Sequence, residues 1–409
     1  MSHRLAMAAP WLAIALLLPR PGVARTSSEL TLEEALVLAR QRAPALLEAA
    51  GRVAEARGPV AGASPPLRDN PTLELEAGPS STAEGRRGVD VAVGLVQPLE
   101  LGGKQGARRE SARAGLARET AARQDTERRV LGEVAATFLR ALHARERTKL
   151  AREAEATAVS TAQSTQRRFE AGDVPVVDVN VARVALARAR ADVAGAEGEE
   201  ASLLYMLRAL LGVGLAQPLG VRGELRALAV AGPPAASTGE RPDIVALESE
   251  VAQAEADLRL GRRSAWPDVG VGVRYQREVD ETAVLGTLSV PVPLFSWGQE
   301  ARVTGEARVR RLQTALEAAR RARDVQVEAA RVQHRKRQEA LELLEREALP
   351  LLADNESLAL KSYEAGEMGL AEFLLVRRDT LEARTAYLDS LLQAALARVQ
   401  LAVETGALP

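Results

Sequence analysis

Two stretches far apart in the chain share one layout. The first is Arg168-Phe169-Glu170-Ala171-Gly172-Asp173-Val174-Pro175-Val176-Val177-Asp178-Val179, with helix-forming sequence on both sides. Gly172 suits a left-handed position just past a helix end, Asp173 can cap the next helix, and Pro175 fits a first helical turn. The second is Ser362-Tyr363-Glu364-Ala365-Gly366-Glu367-Met368-Gly369-Leu370-Ala371-Glu372-Phe373. In both, an aromatic stands three positions before the glycine and a carboxylate six after it. The glycines are 194 positions apart (366 minus 172). From Gln105 to Gly172 is 67 residues, and so is Gln299 to Gly366. One α-helix of that length measures roughly 100 Å. Two equal arms ending in the same tight reversal mean a duplicated unit, each half making a long helical hairpin.

The order before each arm also repeats. Leu30-Thr31-Leu32-Glu33-Glu34-Ala35-Leu36 opens the first half with a capping threonine and an apolar stripe. A second helix starts near Pro44, and a Gly/Pro-rich break covers residues 58–71. Residues 72–77 and 89–97 then alternate, with Leu73 and Leu75, and Val89, Val91, Val93 and Leu95, each set on one face; this period is that of strands. Residues 78–88 read as a loop. After a Pro, Gly and Ala-rich linker at 212–239, a helix follows Pro242, and strands are expected at about 268–276 and 284–291. The division expected is therefore a first repeat over 30–211, with its tip at about 169–179, and a second over 240–405, with its tip at about 363–373. Pro350 interrupts the second arm and predicts a kink or local break.

Residues 1–24 read as a secretory signal: basic His3 and Arg4, an apolar run from Trp11 to Leu18, and small Gly22 and Ala24 before the expected cut. The sequence has no Cys, so disulfides and an N-terminal lipid anchor are not expected. Formal net charge is −1, from 54 basic and 55 acidic residues, which argues against a nucleic-acid partner.

Strands of about nine residues suit a tilted crossing of a bilayer. Four strands cannot close a barrel, and an open edge cannot sit in lipid because its backbone groups would lack partners. A membrane location therefore requires copies to share a barrel: two copies give eight strands, three give twelve. The alternative is a soluble four-strand cap on a long coiled coil. One-sided apolar faces with Glu74, Glu76 and Arg274 opposite fit lipid outside and water inside.

The pattern resembles the TolC-like family of outer-membrane efflux proteins. The resemblance is carried by the duplicated order, the opening Leu30-Thr31-Leu32-Glu33-Glu34-Ala35, the strand exit Gln97-Pro98-Leu99-Glu100-Leu101-Gly102-Gly103-Lys104, and the turns 169–178 and 363–372. It implies a mostly α protein with a small β part: a homotrimer whose twelve-stranded transmembrane β-barrel continues into a periplasmic α-helical coiled-coil tunnel. It implies an exit duct in a tripartite export system, docked at its hairpin tips to a periplasmic adaptor and an inner-membrane pump, such as one of the resistance-nodulation-division type. The strand exit looks like that of the channel subunits of heavy-metal cation exporters. A periplasmic coiled-coil adaptor or scaffold is the competing reading; adaptors usually carry one hairpin, whereas this chain has two.

Asp178 and Glu372 match the positions where family members place acids lining the periplasmic aperture. Rings of carboxylates favour cations, but a first-turn acid also simply complements a helix dipole. The resemblance makes Tyr363 a gate residue, a role Phe169 lacks the hydroxyl to share. Gly172, Val174, Gly366 and Gly369 are the expected adaptor-facing tip, and Glu74, Glu76, Asp90 and Arg274 the expected barrel lumen. No catalytic set, cofactor site or metal site emerges. His143 and His334 stand singly on helices and read as solvated residues, and Gly102-Gly103-Lys104 lacks the spacing of a phosphate loop.

Overall fold

A computed structural model describes residues 28–81, 83–234, 239–278 and 281–407; the expected signal, residues 1–24, lies outside them. The chain opens with β1 (Ser28–Leu30) and α1 (Leu32–Arg42). Thr31 and Glu34 form a reciprocal cap: the Glu34 N–H donates to Thr31 Oγ1 at 3.3 Å, and the Thr31 N–H to the Glu34 carboxylate at 2.7 Å. After it come α2 (Pro44–Glu55), α3 (Arg57–Gly62), β2 (Thr72–Ser81), β3 (Arg87–Leu99), α4 (Lys104–Glu170) and α5 (Val176–Leu210). α4 runs unbroken for 67 residues; neither Gly115 nor Gly132 interrupts it.

Residues 212–239 are more than a linker. β4 (Leu219–Val221) pairs in parallel with β1, and α6 (Leu225–Val230) buries Leu225 and Ala229. The Gly/Pro/Ala bias of this stretch hid four apolar residues, Leu219, Val221, Leu225 and Ala229, that stitch it to the core. The second repeat continues with α7 (Pro242–Arg263), β5 (Val269–Arg277), β6 (Thr282–Ser289), α8 (Gln299–Leu343), a π turn (Leu344–Ala348), α9 (Leu349–Glu364) and α10 (Leu370–Thr405).

The four longer strands form one antiparallel sheet in the order β2-β3-β5-β6. β2 and β3 are longer than their alternating patterns, so most of the expected 78–88 loop is strand. Pro79 lies inside β2 opposite Val89, two residues before the strand ends, so its missing N–H falls near the end of the strand. At the foot of the sheet, Gly103 (φ 71°) and Gly298 (φ 79°) start α4 and α8 from left-handed backbone. A Cβ on Gly298 would stand 2.7 Å from the Gly261 carbonyl, so only glycine fits there. Lys104, buried, donates to Asp268 at 2.8 Å, and Arg108 pairs with Glu100 at 2.6 and 2.8 Å. The strand exit of the first repeat is thus bolted to the second.

Below the sheet the helices lie side by side. α4 packs on α2, α3, α5, α7 and α10; α7 packs on α8, and α10 on α8 and α9. The main core gathers Leu36, Val134, Phe138, Leu142, Leu207, Leu341 and Leu391 at mid-length. A second, smaller core sits near the tips.

Pro350 does not break the second arm. The five-residue π turn just ahead of it widens the helix, giving room for a ring that clashes with a regular preceding turn and for a carbonyl that loses its partner. Glu345 in this turn accepts from Arg226 Nε of α6 at 2.7 Å and from the Tyr387 hydroxyl of α10 at 2.8 Å. The Arg226 hydrogen bond, against partial burial, holds the Glu345 carboxyl below its ordinary value, while burial pushes the Tyr387 phenol up to about 12. A depressed carboxyl contributes stability above its unfolded value and loses it as pH falls through the folded one; a raised phenol contributes below about 10 and loses it towards 12. The tie should therefore be intact from about pH 5 to 10 and weaken on both sides. Melting temperature measured against pH should show that acid limb, and Glu345→Gln should flatten it.

Candidate functional site: hairpin tips and sheet faces

The two tips are built by the same hydrogen bonds, 194 positions apart. The Asp173 N–H donates to the Arg168 carbonyl at 2.8 Å and the Gly172 N–H to Phe169 at 2.9 Å; Glu367 to Ser362 (2.9 Å) and Gly366 to Tyr363 (3.2 Å) repeat them. Gly172 (φ 85°) and Gly366 (φ 78°) take the left-handed place, with open space where a side chain would go. Asp173 does not cap the return helix: it is spent in the reversal, and Pro175 and Gly369 hold the two N-cap positions without a side-chain bond. Asp178 and Glu372 then fall three residues into α5 and α10, where the free N–H groups of the first turn favour a negative charge. Gly172, Gly366, Gly369 and Glu372 are exposed, and Val174 and Asp178 half-buried.

Tyr363 does not share the tip surface with those acids. It is buried, stacked on Phe373 with ring centroids 4.6 Å apart and 11° between planes. Its hydroxyl lies 3.2 Å from Thr165 Oγ1 of the first hairpin. Thr165 gives its one hydroxyl proton to the Thr161 carbonyl at 2.9 Å, so Tyr363 is the donor to Thr165. Arg168 lies over the Tyr363 ring at 5.7 Å and Arg377 over the Phe373 ring at 6.0 Å. Ala182, Ala359 and Leu370 close this core. Tyr363 therefore ties one hairpin to the other within the chain. The first copy has Phe169 and Val179 at the matching positions, and Phe169 is left exposed. Sequence reading missed Thr165; the only signal was a threonine four residues after Thr161 on a face of small side chains.

The sheet has two unlike faces. Leu75, Val93, Tyr275 and Val284 lie in one cross-strand row, Leu73, Leu95, Val273 and Gly286 in the next, and all of these apolar side chains are exposed. No described residue covers them. Behind them Glu74, Gly94 and Arg274 share a row, Glu76 accepts a hydrogen bond from Arg274, and Ser80 donates to Asp90 at 2.7 Å. All four residues expected in a lumen thus lie on the polar face.

Both described histidines depart from expectation, being buried rather than solvated. His143 Nε2 meets Asp389 Oδ1 of α10 at 2.8 Å, which sequence distance concealed. His334 is a buried residue of α8, where burial and then the Arg398 charge hold its imidazole below the usual value. Among the described residues, no cluster of three His, Cys, Asp or Glu is placed to hold a metal. Nor is any helix long and apolar enough to cross a membrane.

The family model described as "Outer membrane efflux protein" matches residues 35–213 and 235–407, one block for each repeat. The chain belongs to that family. Protein CyaE of Bordetella pertussis is 31% identical over 415 residues, covering 95% of this chain and 87% of that one. The cobalt-zinc-cadmium resistance protein CzcC of Cupriavidus metallidurans is 28% identical over 375 residues, covering 88% and 86%. Among solved structures, CusC superposes with a TM-score of 0.78 at 17% identity over 95% of each chain, which shows the shared fold. This efflux protein is an outer-membrane channel, the exit duct of a tripartite system with a periplasmic adaptor and an inner-membrane pump. The adaptor reading therefore falls, and the family is one of transport proteins.

Proposed function

We propose that three copies of this efflux protein join into one duct, a twelve-stranded barrel in the outer membrane above a helical tunnel. The observation that carries this reading is that every layer of the chain ends openly on the same two sides. β2 and α5 end one side, and β6 and α9 the other, because α5 packs on α4 and β4, and α9 on α10 and the π turn. Such ends are complementary rather than alike, so copies join head to tail and close as a ring. β6 of one copy meets β2 of the next, which removes the edges that lipid forbids. The apolar sheet face then meets lipid, and Glu74, Glu76, Asp90 and Arg274 line water. Export through a cleaved segment at about residues 1–24, with no lipid anchor, belongs to the same reading. Native mass spectrometry from detergent tests it: a trimer is expected, and a stable single subunit would reject it.

In that ring Asp178 and Glu372 each occur three times around the tip opening, with Gly172, Val174, Gly366 and Gly369 facing the adaptor. The likeness to CzcC and the exit at residues 97–104 favour metal cations as cargo. Asp178→Asn with Glu372→Gln should weaken divalent-cation block of single channels at least tenfold, ~1.4 kcal/mol. Unchanged block in planar bilayers would remove both acids from the opening.

A further inference from the structure

The apolar face of the sheet runs through the odd-numbered positions of β2, β3 and β5 and the even-numbered positions of β6. Followed to the turns farthest from the helices, it ends in two arginines. Arg87 lies opposite Ser81, and Arg277 lies opposite Val91 on one side and Thr282 on the other. Among the described strand residues these are the only charged side chains on that face. Both are exposed, and neither has an acidic partner among the described residues. The acids of the turns are engaged elsewhere. Glu84 pairs with Arg86 at 3.3 Å, and Glu278, bonded across its turn to the Glu281 carbonyl, accepts from Gln276 of the polar face. Tyr275 stands one row below Arg277, an aromatic at the place where such faces carry a girdle. At the opposite end, beside the helices, the same face finishes without charge on Gln97, Leu99 and Val269.

We infer that Arg87 and Arg277 are a seat for the headgroup phosphates of lipopolysaccharide, the glycolipid of the outer leaflet. This rests on the lipid-facing reading of the sheet proposed above. Height agrees. Arg277 is eight positions beyond Val269, and Arg87 is twelve positions from Leu99. At about 3.4 Å per residue and a tilt of about 40°, they stand about 21 and 31 Å above the helical end of the face. A lipid-facing band is about 25 Å tall. Arg277 therefore reaches the outer boundary by extending its stem, and Arg87 clears it. A guanidinium takes a phosphate through two parallel hydrogen bonds, which an ammonium cannot do. The two arginines are four positions apart along neighbouring strands, about 14 Å, so they meet separate phosphates rather than pinch one. Their charge is confined to one end of the face, as an occupant confined to one leaflet requires.

The test places the full chain in nanodiscs of phosphatidylethanolamine alone, with added phosphatidylglycerol, or with added diphosphoryl lipid A. Lipid A should stay on the wild-type trimer in native mass spectrometry and raise its melting temperature, and phosphatidylglycerol should do far less of both. Arg87→Gln with Arg277→Gln should cut lipid A retention at least about tenfold. Lysine at both positions should recover part of it, because the charge returns without the fork. Arg86→Gln removes a paired charge from the same turn and should leave retention unchanged. Equal retention by the double glutamine variant, or an equal loss in Arg86→Gln, would overturn the inference. So would phosphatidylglycerol that binds and stabilises as well as lipid A. A wild-type chain that is monomeric in all three compositions would instead sink the ring assembly, and this seat with it.

Discussion

Replacing Val93 with arginine should leave the chain unable to assemble in a bilayer. Val93 lies mid-strand on β3, between Leu75 of β2 and Tyr275 of β5 on the apolar face. Arginine at the midplane of a lipid-facing strand costs roughly 2–4 kcal/mol, and the proposed trimer would bear that cost three times over. Among the described residues there is no alternative cover for the charge, because none packs on this face. Folding into vesicles, followed by urea titration or by heat resistance on gels, should show the folded fraction fall to near zero. The partner variant is Gln276→Lys. Gln276 pairs with Ala92 on the polar face, where a charge meets water, and this variant should fold almost as the parent does. Equal tolerance of both charges would mean that the apolar face does not meet lipid.

Phe373→Ala should have the second large effect, confined to the tips. The ring is fully buried, and removing a buried phenylalanine costs about 3–5 kcal/mol. It also removes the stacking partner of Tyr363, whose hydroxyl links the two hairpins at their tips. Tyr363→Phe removes only that hydrogen bond, worth about 1 kcal/mol. Amide exchange at residues 160–180 and 358–375 should accelerate strongly in the first variant and mildly in the second, while the main core around Phe138 stays protected. If exchange spread to the main core in step with the tips, the two cores would not be separate units.

The large features were legible because they repeat. A glycine that needs left-handed backbone, an aromatic and an acid at fixed offsets occur twice, and the equal arms emerge from counting. The alternation of Val89, Val91, Val93 and Leu95 revealed the one-sided apolar face for the same reason, since a period of two cannot serve a helix. What escaped was non-periodic. Asp389 lies 246 positions from His143, and nothing local in the sequence links them. The sequence offers Tyr363 only as a gate residue by resemblance and by its offset from Gly366; its burial depends on Thr165 and Phe373 arriving from two other helices. The segment 212–239 reads as a linker because it is rich in proline, glycine and alanine, although four apolar positions suffice to anchor its first part. Pro350 announced an irregularity, but only the wider turn upstream shows that the helix absorbs the ring without stopping.

The separation of the two cores along α4 has a mechanical consequence. Phe138 and Leu142 clamp that helix near its midpoint, and Thr165 is gripped again close to its end. The span between them is held by few large apolar side chains; Thr148 and Thr161 are among its buried residues. A long rod fastened at its fulcrum and lightly latched at its tip acts as a lever. Releasing the Tyr363–Thr165 latch would leave the far end of α4 held by fewer contacts while the clamped middle stays packed.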